Sequence, residues 1–144
     1  MKVVIQRTSN AKVEVENNIV GFIDKGLMVL VGFTDTDNIE KIKYIVNKII
    51  NLRIFEDEDG IMNKSVLDVS GEILSISQFT LYGDTSKGNR PSYIKALRGE
   101  DAIKLYDLFN SELSKYIKVS TGVFGSDMNV SFTNVGPTTI IIER

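Results

Sequence analysis

The sequence predicts a mixed α/β fold, with largely antiparallel strands forming a barrel-like core against which two helices pack. Its 144 residues suit one domain, and 42% of them are hydrophobic, an ordinary share for a globular protein with a sizeable core. The first third alternates apolar and polar residues between short turns, which is typical of antiparallel strands. Two later segments repeat apolar residues at helical spacing. Since no Pro/Ser-rich linker or repeat interrupts the chain, residues 1–144 are expected to form a single domain.

Four strands are expected before the first helix. They are placed at residues 2–8, 11–16, 19–23 and 27–33. Asn17-Asn18 and Lys25-Gly26 are predicted to be the turns beside the third of these strands. The fourth is a continuous apolar run, which indicates a strand covered on both faces.

The first helix is predicted to begin near Asp37, with Glu40 three residues later as in a capping box. Its buried stripe is Ile39, Ile42, Ile45/Val46 and Ile49/Ile50. Asp59-Gly60 then predicts a tight hairpin turn. An EF-hand at Asp57-Glu58-Asp59-Gly60 is rejected because the ligand spacing and the closing Glu of that motif are missing.

The second half of the chain is expected to contain one more helix, at residues 100–116. Strands are expected at 73–79, 117–123, 127–135 and 138–143. No Gly-x-Gly-x-x-Gly or Walker-type motif occurs in the sequence, so nucleotide-binding folds of those kinds are disfavoured.

The chain has no His, no Cys and no Trp. It therefore cannot form a Ser-His-Asp triad, a Cys nucleophile, a disulfide or a Cys/His zinc site. No metal and no cofactor are expected. If the protein is an enzyme, it works without the side chain most often used for proton transfer near neutral pH.

The net charge of −2 provides no overall attraction to nucleic acid, but the charge is uneven. Lys87, Arg90, Lys95 and Arg98 fall in a window without acidic residues. Such a window is either a solvated surface or a patch that contacts phosphates.

The apolar run at the N-terminus is too short for a signal peptide or a membrane span, so a cytoplasmic protein without membrane contact is expected.

Two segments contain residues that a purely structural role does not explain. The first has three polar side chains at the end of an apolar strand: Ser77, Gln78 and Thr80. These side chains either contact a ligand, a pocket rim or each other, or they simply mark the end of the strand. Gly136-Pro137 interrupts two apolar strands, either as an ordinary turn or as a rigid element that presents its carbonyl groups to a substrate.

These segments, Ser-Gln-Phe-Thr-Leu-Tyr at 77–82 and Asn-x-Gly-Pro-x-Thr at 134–139, resemble the two signature motifs of D-aminoacyl-tRNA deacylases. The resemblance runs from end to end. It includes Val4–Arg7, Leu52–Phe55, Met62-Asn63, Arg90–Tyr93 and Thr121–Met128. Gly83 and Thr138 depart from the Ala and Val usual in the family, which affects the expected substrate preference in detail and leaves the expected activity unchanged.

The resemblance implies a homodimer that hydrolyses the ester of D-aminoacyl-tRNA, and of glycyl-tRNA, while rejecting L-aminoacyl groups. A cis Gly136-Pro137 bond would enter the partner's site, held by Arg7, and its backbone would exclude an L side chain. Phe124 and Met128, which are otherwise plausible core residues, would hold the 3′-terminal adenosine. The basic window follows the first motif directly, which favours phosphate contacts by Lys87 and Arg90.

The catalytic segment is then Ser77, Gln78, Phe79 and Thr80. The N–H groups of Phe79 and Thr80 would form an oxyanion hole. Because an attacking Thr needs an adjacent base and the chain has no His, attack by water assisted by the 2′-hydroxyl of the substrate is favoured over attack by Thr80. Two alternatives are an esterase or amidase for free D-amino acid derivatives, and a dimeric RNA-binding module without enzymatic activity.

Overall fold

A five-stranded mixed sheet organises the chain in the computed structural model, which describes residues 1–136 and 138–144. The strands are β1 (Lys2–Val15), β2 (Asn18–Gly32), β5 (Glu72–Ser77), β6 (Val119–Thr121) and β7 (Asn129–Glu143), in the order β6-β5-β2-β1-β7. The long pairings β1·β2 and β1·β7 are antiparallel, whereas β2·β5 and β5·β6 are parallel. The predicted fold class is therefore confirmed, although β6 and β7 remain edges in the described sheet and do not close it into a barrel.

Two long strands replace the four short ones predicted for the N-terminal third. The turn predicted at Asn17-Asn18 lies one residue earlier, at Glu16-Asn17, where both residues have positive φ and Asn18 begins β2. The turn predicted at Lys25-Gly26 is wrong, because β2 runs through both residues. Gly26 serves a close approach instead: a Cβ atom there would overlap the backbone of Glu72, where β5 begins to pair with β2.

Helix α1 spans Ile39–Asn51 and buries the predicted stripe except Ile39, which is half-buried. Its N-cap is Asn38, whose side chain accepts from the Lys41 N–H at 3.0 Å, so the prediction of Asp37 is wrong by one residue. The Asp37 carboxylate is occupied elsewhere. It accepts from the Thr34 N–H at 2.9 Å and forms an ion pair with the amino group of Met1.

Between the helices lie a hairpin and a turn. Strands β3 (Phe55–Glu56) and β4 (Met62–Lys64) pair around the predicted Asp59-Gly60 turn, with Gly60 at a φ of 76°. Strand β5 is followed by a 3₁₀ turn at Phe79–Tyr82, so the strand predicted to reach residue 79 ends at Ser77. Helix α2 spans Gly99–Ser114, and neither helix is long and apolar enough to cross a membrane.

The core has two parts, one on each face of the sheet. The larger is formed by α1, α2 and residues such as Ile5, Val29 and Ile73. The smaller contains Val13, Met28, Leu74 and Ile76. Because β2 contributes to both parts, its apolar run is covered on both faces, as predicted. The interruption predicted at Gly136-Pro137 falls within β7, but Pro137 lies outside the described residues.

Candidate active site

A cleft of about 350 Å³ opens at the end of β5. Its polar wall is formed by Ser77 and Gln78, and Phe79 continues this wall. The opposite wall comes from the loop between β6 and β7 and includes Phe124 and Met128. Two groups of predicted site residues about fifty positions apart thus line one cavity.

The parallel pairing of β5 with β2 positions the polar wall. The Gln78 N–H donates to the Val31 carbonyl oxygen at 2.7 Å, which extends this contact one residue beyond the strand. A Cβ on Gly32 would lie 2.9 Å from the Gln78 carbonyl oxygen and 3.4 Å from the Leu81 Cβ. Glycine at position 32 therefore lets the 3₁₀ turn lie directly on the end of β2.

Phe79 and Thr80 are the first two residues of this turn. The first hydrogen bond within the turn is donated by the Leu81 N–H to the Gln78 carbonyl oxygen at 3.3 Å, so the N–H groups of Phe79 and Thr80 are not used within the turn. The Thr80 hydroxyl accepts from the Gln78 side-chain amide. An amide N–H cannot remove a proton, so this contact orients the hydroxyl without activating it. Thr80 itself is exposed and lies beside the lining of the cleft.

The apolar wall lies at the boundary between core and cleft. Phe124 is half-buried, and its ring centroid is 5.8 Å from that of Tyr106. The Tyr106 hydroxyl donates to the Ser75 carbonyl oxygen at 2.8 Å, and burial raises the pKa of Tyr106. Met128 packs against the smaller core. Both side chains therefore have core contacts and also present apolar surface to the cleft.

Sequence reasoning did not single out Asp127. Its carboxylate is the one ionisable group among the described residues that line the cleft. In the sequence Asp127 stands out only within the Thr121–Met128 match, because a single Asp carries no periodic or spacing signal. It adds a hydrogen-bond acceptor to the cleft that Ser77 and Gln78 also line.

Arg7 lies apart from the cleft, in a depression of about 250 Å³ that Val135 also lines. Its Nε donates to the Val135 carbonyl oxygen at 3.1 Å, and its Nη1 donates to the Ile54 carbonyl oxygen at 2.9 Å. Its Nη2 lies 3.6 Å from a Glu56 carboxylate oxygen. The guanidinium group thus joins the β3–β4 hairpin to the residue that precedes Gly136.

Arg7 can reach Val135 because the β1·β7 register shifts at this point. Gln6 pairs with Thr139 and Thr8 pairs with Asn134, which leaves a longer segment of β7 opposite Arg7. Gly136 lies in that segment, and a Cβ placed on it would meet no atom within 4 Å apart from those of its chain neighbours. This side of Gly136 therefore faces open space in the single chain.

Lys87 and Arg90 are exposed in the loop closed by Asp84 and Ser92, whose backbones exchange two hydrogen bonds of 2.9 Å. Neither cation lines the cleft or forms an ion pair within the described part of the chain. Hydrogen bonds from Ser86 hold the pKa of Asp84 below its usual value. The described residues also contain no cluster of His, Cys, Asp or Glu suited to a metal ion.

Comparison with known proteins decides the family. The model of the D-Tyr-tRNA(Tyr) deacylase family matches residues 4–143. The chain belongs to this family. A relative from Flavobacterium psychrophilum, named D-aminoacyl-tRNA deacylase, is 57% identical over 99% of this chain and 97% of its own length.

Two solved structures share the deacylase fold seen here. One, called c-Myc DNA Unwinding Element Binding Protein, has a TM-score of 0.94 and 40% identity, and the match covers 100% of this chain and 99% of that one. The other, described as a probable eukaryotic D-amino acid tRNA deacylase, has a TM-score of 0.82 at 21% identity, with 98% and 97% covered. Family membership confirms the prediction of a hydrolase whose substrate is aminoacyl-tRNA carrying a D-amino acid.

Proposed function

We propose that the cleft at the end of β5 is the active site of this deacylase and receives the 3′-terminal adenosine with its D-aminoacyl ester. The observation that carries this assignment is the meeting of Ser77–Phe79 with Phe124 and Met128 around one cavity. An apolar wall suits the face of adenine, and the polar wall opposite suits an ester. Asp127 offers an acceptor for the hydroxyl and amino groups of the substrate.

Catalysis in this site uses groups that need no titration. The N–H groups of Phe79 and Thr80 donate to the oxyanion that develops on the ester carbonyl, and each such donor contributes roughly 10²–10³ in rate. Ser77, Gln78 and Thr80 orient the ester. Because the Thr80 hydroxyl accepts from the Gln78 amide and makes no hydrogen bond to a base within the described residues, water is the nucleophile and the substrate's 2′-hydroxyl assists it.

Selectivity for the D configuration requires a second copy of the chain. Gly136-Pro137 of one protomer enters the cleft of its partner, and its backbone occupies the space that an L side chain would need. Two observations support this homodimer. Gly136 faces open space, and β7 is a sheet edge that exposes apolar residues such as Ile141, which is 67% exposed.

The remaining assignments follow from this arrangement. Arg7 holds Val135 and so fixes the position of Gly136, while Lys87 and Arg90 contact tRNA phosphates from the exposed loop. Glycine has no side chain to exclude, so glycyl-tRNA is also a substrate. The protein acts as one domain, residues 1–144, in the cytoplasm, where charged tRNA is used.

A deacylation assay with D-tyrosyl-tRNA and L-tyrosyl-tRNA tests the proposal. Selective release of the D-amino acid supports it, and equal release of both enantiomers contradicts it. Hydrolysis of free D-tyrosine esters as fast as of D-tyrosyl-tRNA would indicate a small-ester hydrolase instead. Binding of RNA with no release of either amino acid would indicate a nucleic-acid-binding module without enzymatic activity.

A further inference from the structure

A second depression adjoins the cleft. It measures about 320 Å³ and shares Leu97 with the cleft as part of its wall. Its remaining lining comes from the loop after β2 and from the segment before α2: Thr34, Asp35, Ile94, Lys95, Ala96 and Arg98. The two hollows therefore lie side by side on one surface.

Hydrogen bonds hold the segment before α2 against the end of β2. The Thr34 hydroxyl donates to the Lys95 carbonyl oxygen at 2.7 Å, and the Leu97 N–H donates to the Phe33 carbonyl oxygen at 2.9 Å. Ala96 is buried between them. The depression is thus formed before any ligand binds, and its cost of ordering on binding is small.

Its exposed groups are of the kinds that recognise an unpaired nucleotide. Ile94 is 88% exposed, which is unusual for a large apolar side chain on a fixed segment, and it offers surface to a base. Arg98 and Lys95 supply positive charge and form no ion pair within the described residues. The Asp35 carboxylate can accept from an exocyclic amino group, as acidic residues do with cytosine.

Phe79 links the two hollows through Arg98, which lines the second depression. It lines the cleft and is 49% exposed, and its ring packs edge-on against Tyr93 at a centroid distance of 5.1 Å. The Arg98 guanidinium lies over the same ring, 5.9 Å from its centroid. Aromatic rings and guanidinium planes are the surfaces on which proteins stack single-stranded bases.

We infer that this depression binds the unpaired nucleotide immediately 5′ to the terminal adenosine, which is a cytidine in tRNA. Its base lies against Ile94 with its amino group toward Asp35, and Arg98 contacts the phosphate that joins the two nucleotides. Arg98 is then a binding residue for the RNA strand where it leaves the cleft. The inference rests on the proposed function, since it requires the terminal adenosine to occupy the cleft.

The test compares D-tyrosyl esters of adenosine, of the trinucleotide CCA, and of CCA whose middle nucleotide lacks its base. The variant is Arg98→Ala. The matched control is Lys104→Ala, which removes an exposed cation within α2 that is paired with Asp101 at 3.2 Å. Both variants are first checked for an unchanged thermal melting curve.

For the wild type, kcat/KM should be about tenfold or more higher on CCA than on adenosine, and much of this gain should be lost without the middle base. Arg98→Ala should lower kcat/KM on CCA about tenfold more than on the adenosine ester, mainly through KM, with partial rescue in Arg98→Lys. Lys104→Ala should resemble the wild type on both substrates.

Equal wild-type activity on the adenosine and CCA esters would overturn the inference while leaving the proposed function intact. An equal loss on both esters in Arg98→Ala would also overturn it, because Arg98 would then act only by ordering Phe79. If the wild type cleaves none of the D-esters and not D-tyrosyl-tRNA either, the proposed function itself fails.

Discussion

Replacing Arg7 with Met removes the link between the β3–β4 hairpin and the segment that carries Gly136, while keeping a long side chain. Arg7 is 6% exposed and donates to the carbonyl oxygens of Val135 and Ile54 at 3.1 and 2.9 Å. Its substitution leaves both acceptors without their donor. We therefore expect a loss of stability together with a loss of stereochemical selectivity.

The size of the stability loss follows from these contacts. A hydrogen bond from a charged donor contributes about 1.5–3 kcal/mol, so two of them contribute roughly 3–6 kcal/mol. The guanidinium no longer has to be buried in the variant, which offsets part of this loss. Glu56 is 60% exposed, so its ion pair with Arg7 adds about 1 kcal/mol at most. The net decrease in the free energy of unfolding should be about 2–4 kcal/mol.

Urea denaturation measures this decrease, and the ratio of kcat/KM for D-tyrosyl-tRNA to that for L-tyrosyl-tRNA measures selectivity. The matched control is Arg53→Met, since Arg53 is exposed and donates to the Asn63 carbonyl oxygen of β4 at 3.0 Å. The control should lose less than about 1 kcal/mol and keep its selectivity. If Arg7→Met is no less stable than Arg53→Met, or discriminates the enantiomers as well as the wild type, the role given to Arg7 is wrong.

Three further predictions concern other groups. Thr80→Ala should retain substantial deacylase activity, because Thr80 only orients the ester; a loss on the order of 10⁴-fold, as for a triad member, would instead make it a nucleophile. Lys87→Ala and Arg90→Ala should each reduce the slope of log affinity for tRNA against log salt by about one, whereas an unchanged slope would identify them as solvated surface residues. Hydrogen bonds from the Ile61 N–H, and also from Asn63 and Asp59, lower the pKa of Asp57 below its unfolded value of 3.8. The ionised Asp57 therefore stabilises the hairpin at pH values above 3.8, and this stabilisation is lost as the pH falls through the lower pKa of the folded state. Melting temperatures should therefore show Asp57→Asn less stable than the wild type near neutral pH, with the difference shrinking in acid; a difference independent of pH would contradict this.

Local sequence patterns correctly predicted the elements whose structure depends mainly on residues close to one another in the chain. The isoleucine stripe of α1 and the Asp59-Gly60 turn are examples, because periodicity and turn chemistry act within a few residues. The wrong predictions occur where a contact with a residue distant in the sequence determines the local structure. Asp37 is not the N-cap because its carboxylate binds the amino group of Met1 and the N–H of Thr34. Gly26 lies within a strand because the backbone of Glu72 packs so closely against it that no side chain would fit.

The candidate site shows the same limit. That Ser77 ends an apolar strand is readable from the sequence, but its meeting with Phe124 and Met128 depends on the sheet order β6-β5-β2, which no local pattern encodes. The contact of Arg7 with Val135 depends on a register shift between β1 and β7. In the sequence, only the resemblance to the deacylase family along the whole chain linked these residues to one site.

Because the site has no histidine, we propose that it relies on its substrate for a catalytic hydroxyl. The most direct measurement is the single-turnover rate of deacylation for D-tyrosyl-tRNA ending in 2′-deoxyadenosine, compared with the same tRNA ending in adenosine. We expect the deoxy substrate to bind with similar affinity and to react about 10²-fold or more slowly, the usual contribution of a positioned proton-transfer group. Equal rates for the two substrates would show that the protein supplies all of the catalysis and would contradict the claim.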